Sequence, residues 1–134
     1  MTNDSRTLIR EGVVTSVIPE RCSCRVTFSD RDGLTSAELP ILQPAGLKNK
    51  FYSLVDVGDS VVCLMMPNDP NGNSGYVIGS RYHDKNSPPA ASQDISMIKF
   101  DDGTTISYDR AAHVLSIDCV GTVKINGSEV RINE

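Results

Sequence analysis

The chain has 134 residues and a formal net charge of −4, with 39% hydrophobic and only 5% aromatic residues. That length holds one ordinary domain, or a small domain with an appendage, and the acidic balance argues against a protein that holds nucleic acid by neutralising phosphates. No apolar run approaches about eighteen residues and no basic start leads into an apolar core, so neither a membrane span nor a signal peptide is read, and synthesis in the cytosol is expected.

Residues 1–9 are polar and expected to fray. The string Glu11-Gly12-Val13-Val14-Thr15-Ser16-Val17-Ile18 reads as a strand ended by Pro19-Glu20, with Cys24-Arg25-Val26-Thr27-Phe28 as its hairpin partner. Asp30-Arg31-Asp32-Gly33 is a turn. Thr35-Ser36-Ala37-Glu38-Leu39 follows as a third strand, stopped by Pro40 and finally by Gln43-Pro44-Ala45-Gly46. Leu47, Phe51 and Leu54 have helix-compatible spacing, but the stretch to Val55 is so short that a single helical turn or a loop is expected. Val57-Gly58-Asp59-Ser60 turns into a fourth strand, the apolar run over 61–66, which Pro67 terminates. Residues 68–75 are a loop dense in Asn, Gly, Asp and Pro, and Tyr76-Val77-Ile78-Gly79-Ser80-Arg81-Tyr82 is the fifth strand. Five short strands with a small helical element after the third is the order of an OB-type Greek-key barrel, here over 1–86. A linker over 87–94, with Pro88-Pro89-Ala90-Ala91-Ser92 at its centre, separates it from the tail.

Residues 95–134 read as five more strands: 97–100, 105–108, 114–118, 123–126 and 129–133. Asp102-Gly103, Asp109-Arg110, Gly121 and Asn126-Gly127 punctuate them as turns. Alternation puts Ile98/Phe100, Ile106/Tyr108, Leu115/Ile117, Val123/Ile125 and Val130/Ile132 on one face. Left wet, these side chains would forgo on the order of 15–30 kcal/mol as an upper bound. The tail carries no helix and no second sheet to cover that face, so copies of the same chain around a rotation axis are the expected cover, giving an obligate homo-oligomeric rod with these ten side chains as its core. The alternative is a tail that packs on the preceding domain as half of one larger sandwich. Residues 89–134 hold seven acids and four bases (net −3), so three copies would carry about −9, which favours solubility and works against anionic lipid or DNA.

Residues suited to chemistry are few and scattered. Cys63 and Cys119 sit in apolar strand patterns and are expected to be small core residues, while Cys22-Ser-Cys24 is one residue short of a CxxC and lacks a second pair at zinc spacing. Asp30/Asp32 and Asp101/Asp102 are paired carboxylates beside turn glycines, where Asp is an ordinary occupant. His83 and His113 are expected in loops. The loop over 71–75 precedes no helix and is no phosphate cradle, and Asn126-Gly127-Ser128 reads as a turn rather than a glycosylation site. No catalytic, cofactor-binding or metal-binding residue is therefore assigned, and a structural role, not an enzyme, is expected.

The block Gly58-Asp59-Ser60-Val61-Val62-Cys63-Leu64-Met65-Met66-Pro67-Asn68-Asp69-Pro70, followed by Gly75-Tyr76-Val77-Ile78-Gly79-Ser80-Arg81-Tyr82, resembles the second half of the barrel in the phage baseplate assembly protein V family, the central spike of contractile tails. Gly12-Val13-Val14, Arg25-Val26 and Glu38-Leu39-Pro40-Ile41-Leu42 look like the first half, and the spike module of type VI secretion is similar over the same region. The resemblance covers roughly residues 8–134. It implies a homotrimer whose barrels dock on the baseplate hub and whose tails intertwine into a triangular β-helix, or prism, aimed at the target cell envelope. Such a spike is assembled in the bacterial cytoplasm, ends in the tail baseplate of a virion or tail-like particle, and meets the envelope only transiently.

Two departures limit the transfer. Many members carry a Trp beside the Leu-Pro of the third strand, where this chain has Glu38 and no Trp at all. Many also hold iron at the tip through a His-x-His pair, which His83 and His113 do not make. Five rungs at about 4.7–4.9 Å give a rod of roughly 24 Å, short of a bilayer core of roughly 30 Å. A separate tip protein is therefore expected at Arg131-Ile132-Asn133-Glu134. The rival reading is a barrel that binds single-stranded nucleic acid or oligosaccharide, which needs a basic groove with stacking aromatics. The chain offers Phe28, Phe51, Tyr52, Tyr76 and Tyr82 with Arg25, Lys48, Lys50 and Arg81, a sparse set, and no nucleic-acid partner is expected. A third reading, a β-domain without mechanical role, predicts a monomer.

Overall fold

The computed structural model describes residues 8–28, 33–67 and 74–134. These divide between two compact units, Met1–Asn86 and Ser87–Glu134. Strand β1 (Ile9–Ile18) is the spine of the first unit, because it pairs antiparallel with β2 (Ser23–Phe28) on one side and β4 (Ser60–Met65) on the other. Gly12 faces both Phe28 and Val61. A Cβ there would lie 2.5 Å from Val26 Cγ1 and 2.6 Å from the Thr27 carbonyl oxygen, so only a glycine lets the strands close at this point. A bulge between Val14 and Ser16 bends the strand. Pro19 lacks an N–H for the ladder, and Pro19–Arg21 make a single 3-10 turn that leads back into β2.

The sheet order is β3-β2-β1-β4-β5, with β3 at Leu39–Pro40 and β5 at Gly75–Ser80. Its two edges meet where Ile41 bridges Val77 in parallel and the Leu42 N–H donates to the Val77 carbonyl at 3.1 Å. The result is an all-β, nearly closed, barrel-like sheet. Inside it lie Val14, Val26, Phe28, Leu39, Val61 and Val77, with Cys24, Cys63, Ile41 and Met65 completing the core. Arg10 is also buried, its guanidinium 5.3 Å from the centre of the Phe28 ring.

The third strand is shorter than the residues suggest. Only Leu39–Pro40 form a ladder, with one further bridge from Thr35 to Thr27. Ser36 is the reason. Its hydroxyl oxygen accepts from the Val26 N–H at 3.0 Å while its own N–H donates to the Val26 carbonyl at 2.7 Å, so a side chain stands in for a regular rung. The helix-compatible stretch over 47–55 is a loop. Gln43 clamps it through both ends of its amide, donating to the Ser53 carbonyl at 2.9 Å and accepting from the Ser53 N–H at 3.3 Å. The turn expected over 30–33 and the loop over 68–75 lie mostly outside the described residues.

The second unit is a meander of β6 (Ile95–Lys99), β7 (Thr105–Asp109) and β8 (Val114–Asp118). Its turns use the chemistry that the residues provide: the Asp102 carboxylate accepts from the Thr104 N–H at 2.9 Å, Gly103 takes φ +94°, and Asp109 accepts from the Ala111 N–H at 2.9 Å. The runs over 123–126 and 129–133 are not strands. A strand is defined by its ladder, and within the single chain no neighbour offers these segments one.

Candidate functional site: an uncovered apolar face

Pairing in the meander sets Ile98 opposite Ile106 and Ile106 opposite Ile117, forming one row across three strands. Tyr108 stands opposite Leu115 in the next row. Because side chains alternate along a strand, these five and Phe100 share one face. All six are exposed, from Ile106 at 39% to Leu115 at 67%. Val123, Ile125, Val130 and Ile132 are exposed as well, reaching 81% at Ile132. No residue of 87–134 is buried. The opposite face is mixed: Met97, Ser107 and Ser116 form its middle row, Lys99, Thr105 and Asp118 one end, and Ile95, Asp109 and Val114 the other.

Cover for such a face has to arrive as a second layer, with sheet packing on sheet at about 10 Å. The backbone reports the same deficit, since no residue from 121 to 134 makes a backbone-to-backbone hydrogen bond among the described residues. In the last fourteen residues the apolar side chains thus lack cover and the backbone lacks a ladder, while Arg131 pairs with Glu129 and Glu134.

Other residues singled out from the sequence stay apart. His83 closes a small turn with Asn86, and its Nδ1 accepts from the Lys85 N–H at 3.3 Å. His113 is exposed, with φ 59°, at the entry to β8. Asp102 is a turn cap whose carboxyl the Thr104 N–H holds below the usual range, while Asp30 and Asp32 lie outside the described residues. Cys24 and Cys63 are buried in the barrel. Burial pushes the Cys24 thiol up to about 11, and burial with Cys24 nearby pushes Cys63 up to about 12. Cys119, by contrast, is exposed rather than a core residue, because the face it adjoins has no cover. Among the described residues, no three of His, Cys, Asp or Glu gather as a metal site, and no helix is long and apolar enough to cross a membrane.

Glu38 has a task of its own. Its carboxylate takes a two-pronged ion pair from Arg21, at 2.8 and 2.9 Å, and a 2.6 Å hydrogen bond from the Ser23 hydroxyl. The Arg21 bond, then that from Ser23, hold its carboxyl down to about 2. It pins the 3-10 turn to β3. Among the aromatics named for stacking, Phe28 is buried in the core, and among the bases Arg81 is engaged by Glu11.

One surface was legible in the sequence but went unread. In β2 the outward residues are Arg25 and Thr27, as expected of a strand with one dry face. In β4 and β5 the outward Leu64, Tyr76 and Ile78 are apolar too, and they remain exposed. An unbroken apolar run such as Val61-Val62-Cys63-Leu64-Met65-Met66 is the signature of a strand meant to be covered on both sides.

Compared with known proteins, the chain matches no family model and no curated protein.

Proposed function

We propose that this protein is a trimeric central spike of a contractile phage tail or tail-like injection particle, acting through shape and stiffness rather than catalysis. One observation carries the reading: the ten apolar side chains expected to form an intermolecular core all stand exposed in the single chain, six of them in register on one face of a three-stranded meander. Winding three tails around a common axis gives each face a second layer and gives the runs over 123–126 and 129–133 the ladders they lack. The finer architecture belongs to the same proposal. The barrel is of OB type, its closed order β1-β2-β3-β5-β4 being that of this Greek-key family, and the tail is an intertwined β-helix. The barrel acts as a rigid adaptor to a hub protein in the baseplate, and the tail meets the target envelope.

The mass of the purified protein by light scattering tests this directly. Three copies per particle, persisting on dilution into the nanomolar range, are expected. A monodisperse monomer that keeps its full strand content overturns the proposal.

A further inference from the structure

The barrel unit has two exposed apolar patches, and they are different in kind. One is a ridge on the outside of β1, β4 and β5, where Ile9 pairs with Leu64, Leu64 with Tyr76, and Ile78 lies two residues further along β5. Its side chains are 39–57% exposed. The other is a shallow, mainly apolar hollow edged by Val17, Pro19, Tyr52 and Val57, with Ser53 and Asp56 as its polar lining; Phe51, next to Tyr52 in the chain, is exposed as well. Tyr52 holds its rim, its hydroxyl donating to the Pro19 carbonyl at 3.2 Å, and yet remains 68% exposed. Ile9 and Val17 sit eight residues apart near opposite ends of β1, so up to about 26 Å of strand separates the two patches.

We propose that the two patches are the complementary halves of one contact between copies of this chain, the ridge of each barrel seating in the hollow of the next. The proposal rests on the trimer reading above and adds to it a second interface, made by the barrels. Three arguments fix the occupant. A twofold contact buries one patch against itself, whereas two unlike patches on one protomer fit a head-to-tail contact, which closes into a ring when the rotation allows. The ridge is electrically neutral: its one carboxylate, Glu11, is engaged by Arg81, so it brings no unpaired like charge against Asp56 in the lining of the hollow. The size is also sufficient. At roughly 150–200 Å² per large side chain, the exposed parts of ridge and hollow together offer on the order of 1,000 Å², the lower bound of a specific interface.

The test uses the full chain carrying Cys119→Ser, which leaves half-buried Cys22 and the buried, weakly acidic Cys24 and Cys63 as the native thiols. Ile78→Cys and Val57→Cys are introduced singly and together, at positions exposed by 50% and 65%, and treated with a short bifunctional maleimide. The double variant is expected to give covalent dimers and trimers on a denaturing gel, from most of the protein. Each single variant should give none, and an equal mixture of the two single variants, refolded together, should give dimers only. A double variant that light scattering finds trimeric, yet yields no covalent species above the single chain, overturns the ridge-in-hollow contact while leaving the spike reading intact. The ridge or hollow would then serve another protein. A monomeric Cys119→Ser parent overturns both.

Discussion

The two units are built from the same kind of strand, yet one closes and the other does not. In the barrel, β1 is shared by two neighbours, the sheet curls until Ile41 reaches Val77, and the inward side of the strands is dry; Phe28, for instance, is 2% exposed. In the tail, β6 to β8 lie in a single layer, and alternation of the same quality leaves Leu115 and Ile117 in water. The contrast teaches that amphipathic alternation specifies a face, whereas topology decides whether the chain covers that face itself or needs another molecule. Stability of the barrel should therefore be mainly a property of the chain, gaining from concentration only what the ridge-in-hollow contact adds, and stability of the tail a property of its concentration throughout.

The sharpest way to break that contrast is a charge in the centre of the uncovered face. Ile106→Asp lies on the middle strand, between Ile98 and Ile117. In the proposed trimer, three copies would each lose a buried side chain worth about 1.5–3 kcal/mol, so about 5–9 kcal/mol per trimer would disappear before any cost of burying carboxylates is added. Light scattering should find monomers at concentrations where the parent is trimeric, with the barrel still folded by circular dichroism. Trimers of unchanged affinity would mean that this face is not where copies meet.

The converse variant strikes the barrel alone. Phe28→Ala empties the centre of the closed core, beneath Arg10, and should cost about 3–5 kcal/mol in urea unfolding. Gly12→Val places branched carbons against the Val26 side chain and the Thr27 carbonyl and should cost about 1–3 kcal/mol, more if β1 separates from β2. In both variants the mass in solution should stay that of the parent. A drop to monomer with either would show that the tail does not associate independently of the barrel's stability.

Much of this division is visible in the residues. The ten tail positions share alternation that no neighbouring segment of the tail can satisfy, and turn chemistry at Asp102-Gly103 and Asp109 marks the meander's two internal turns. What the sequence hides is substitution of one hydrogen-bonding group for another. Ser36 replaces a rung of β3 with its hydroxyl, and over 47–55, where a single helical turn or a loop is expected, Gln43 holds the loop with a side-chain clamp. Neither partner is near in sequence, and pattern reading sees only local spacing. The last two runs of the tail have strand composition without a strand, because composition states a preference and the ladder needs a partner. Glu38 is legible as a departure from the spike family's pattern, but its tie to Arg21 and Ser23 is a matter of three-dimensional proximity.

Acid provides the gentlest test of the comparison, because among the described residues each unit holds one carboxylate below its ordinary range, for different reasons. In the barrel, Glu38 titrates at about 2 against an ordinary 4.5, since Arg21 and Ser23 bind its charged form. Between those values the unfolded chain carries the proton and the folded chain does not, so stability rises with pH across that window. The contribution is whole above about 4.5 and is lost as pH falls toward about 2. In the tail, Asp102 is lowered by the Thr104 N–H, with the same sign. Glu38→Gln should flatten the acid limb of the barrel's unfolding curve by a small amount, the pair being partly exposed, with a midpoint that depends on protein concentration only through the ridge-in-hollow contact. The tail's acid transition should move with concentration, since protonated chains must also dissociate. Two acid midpoints, the tail's shifting on dilution far more than the barrel's, would separate a unit that closes on itself from one that closes only in company.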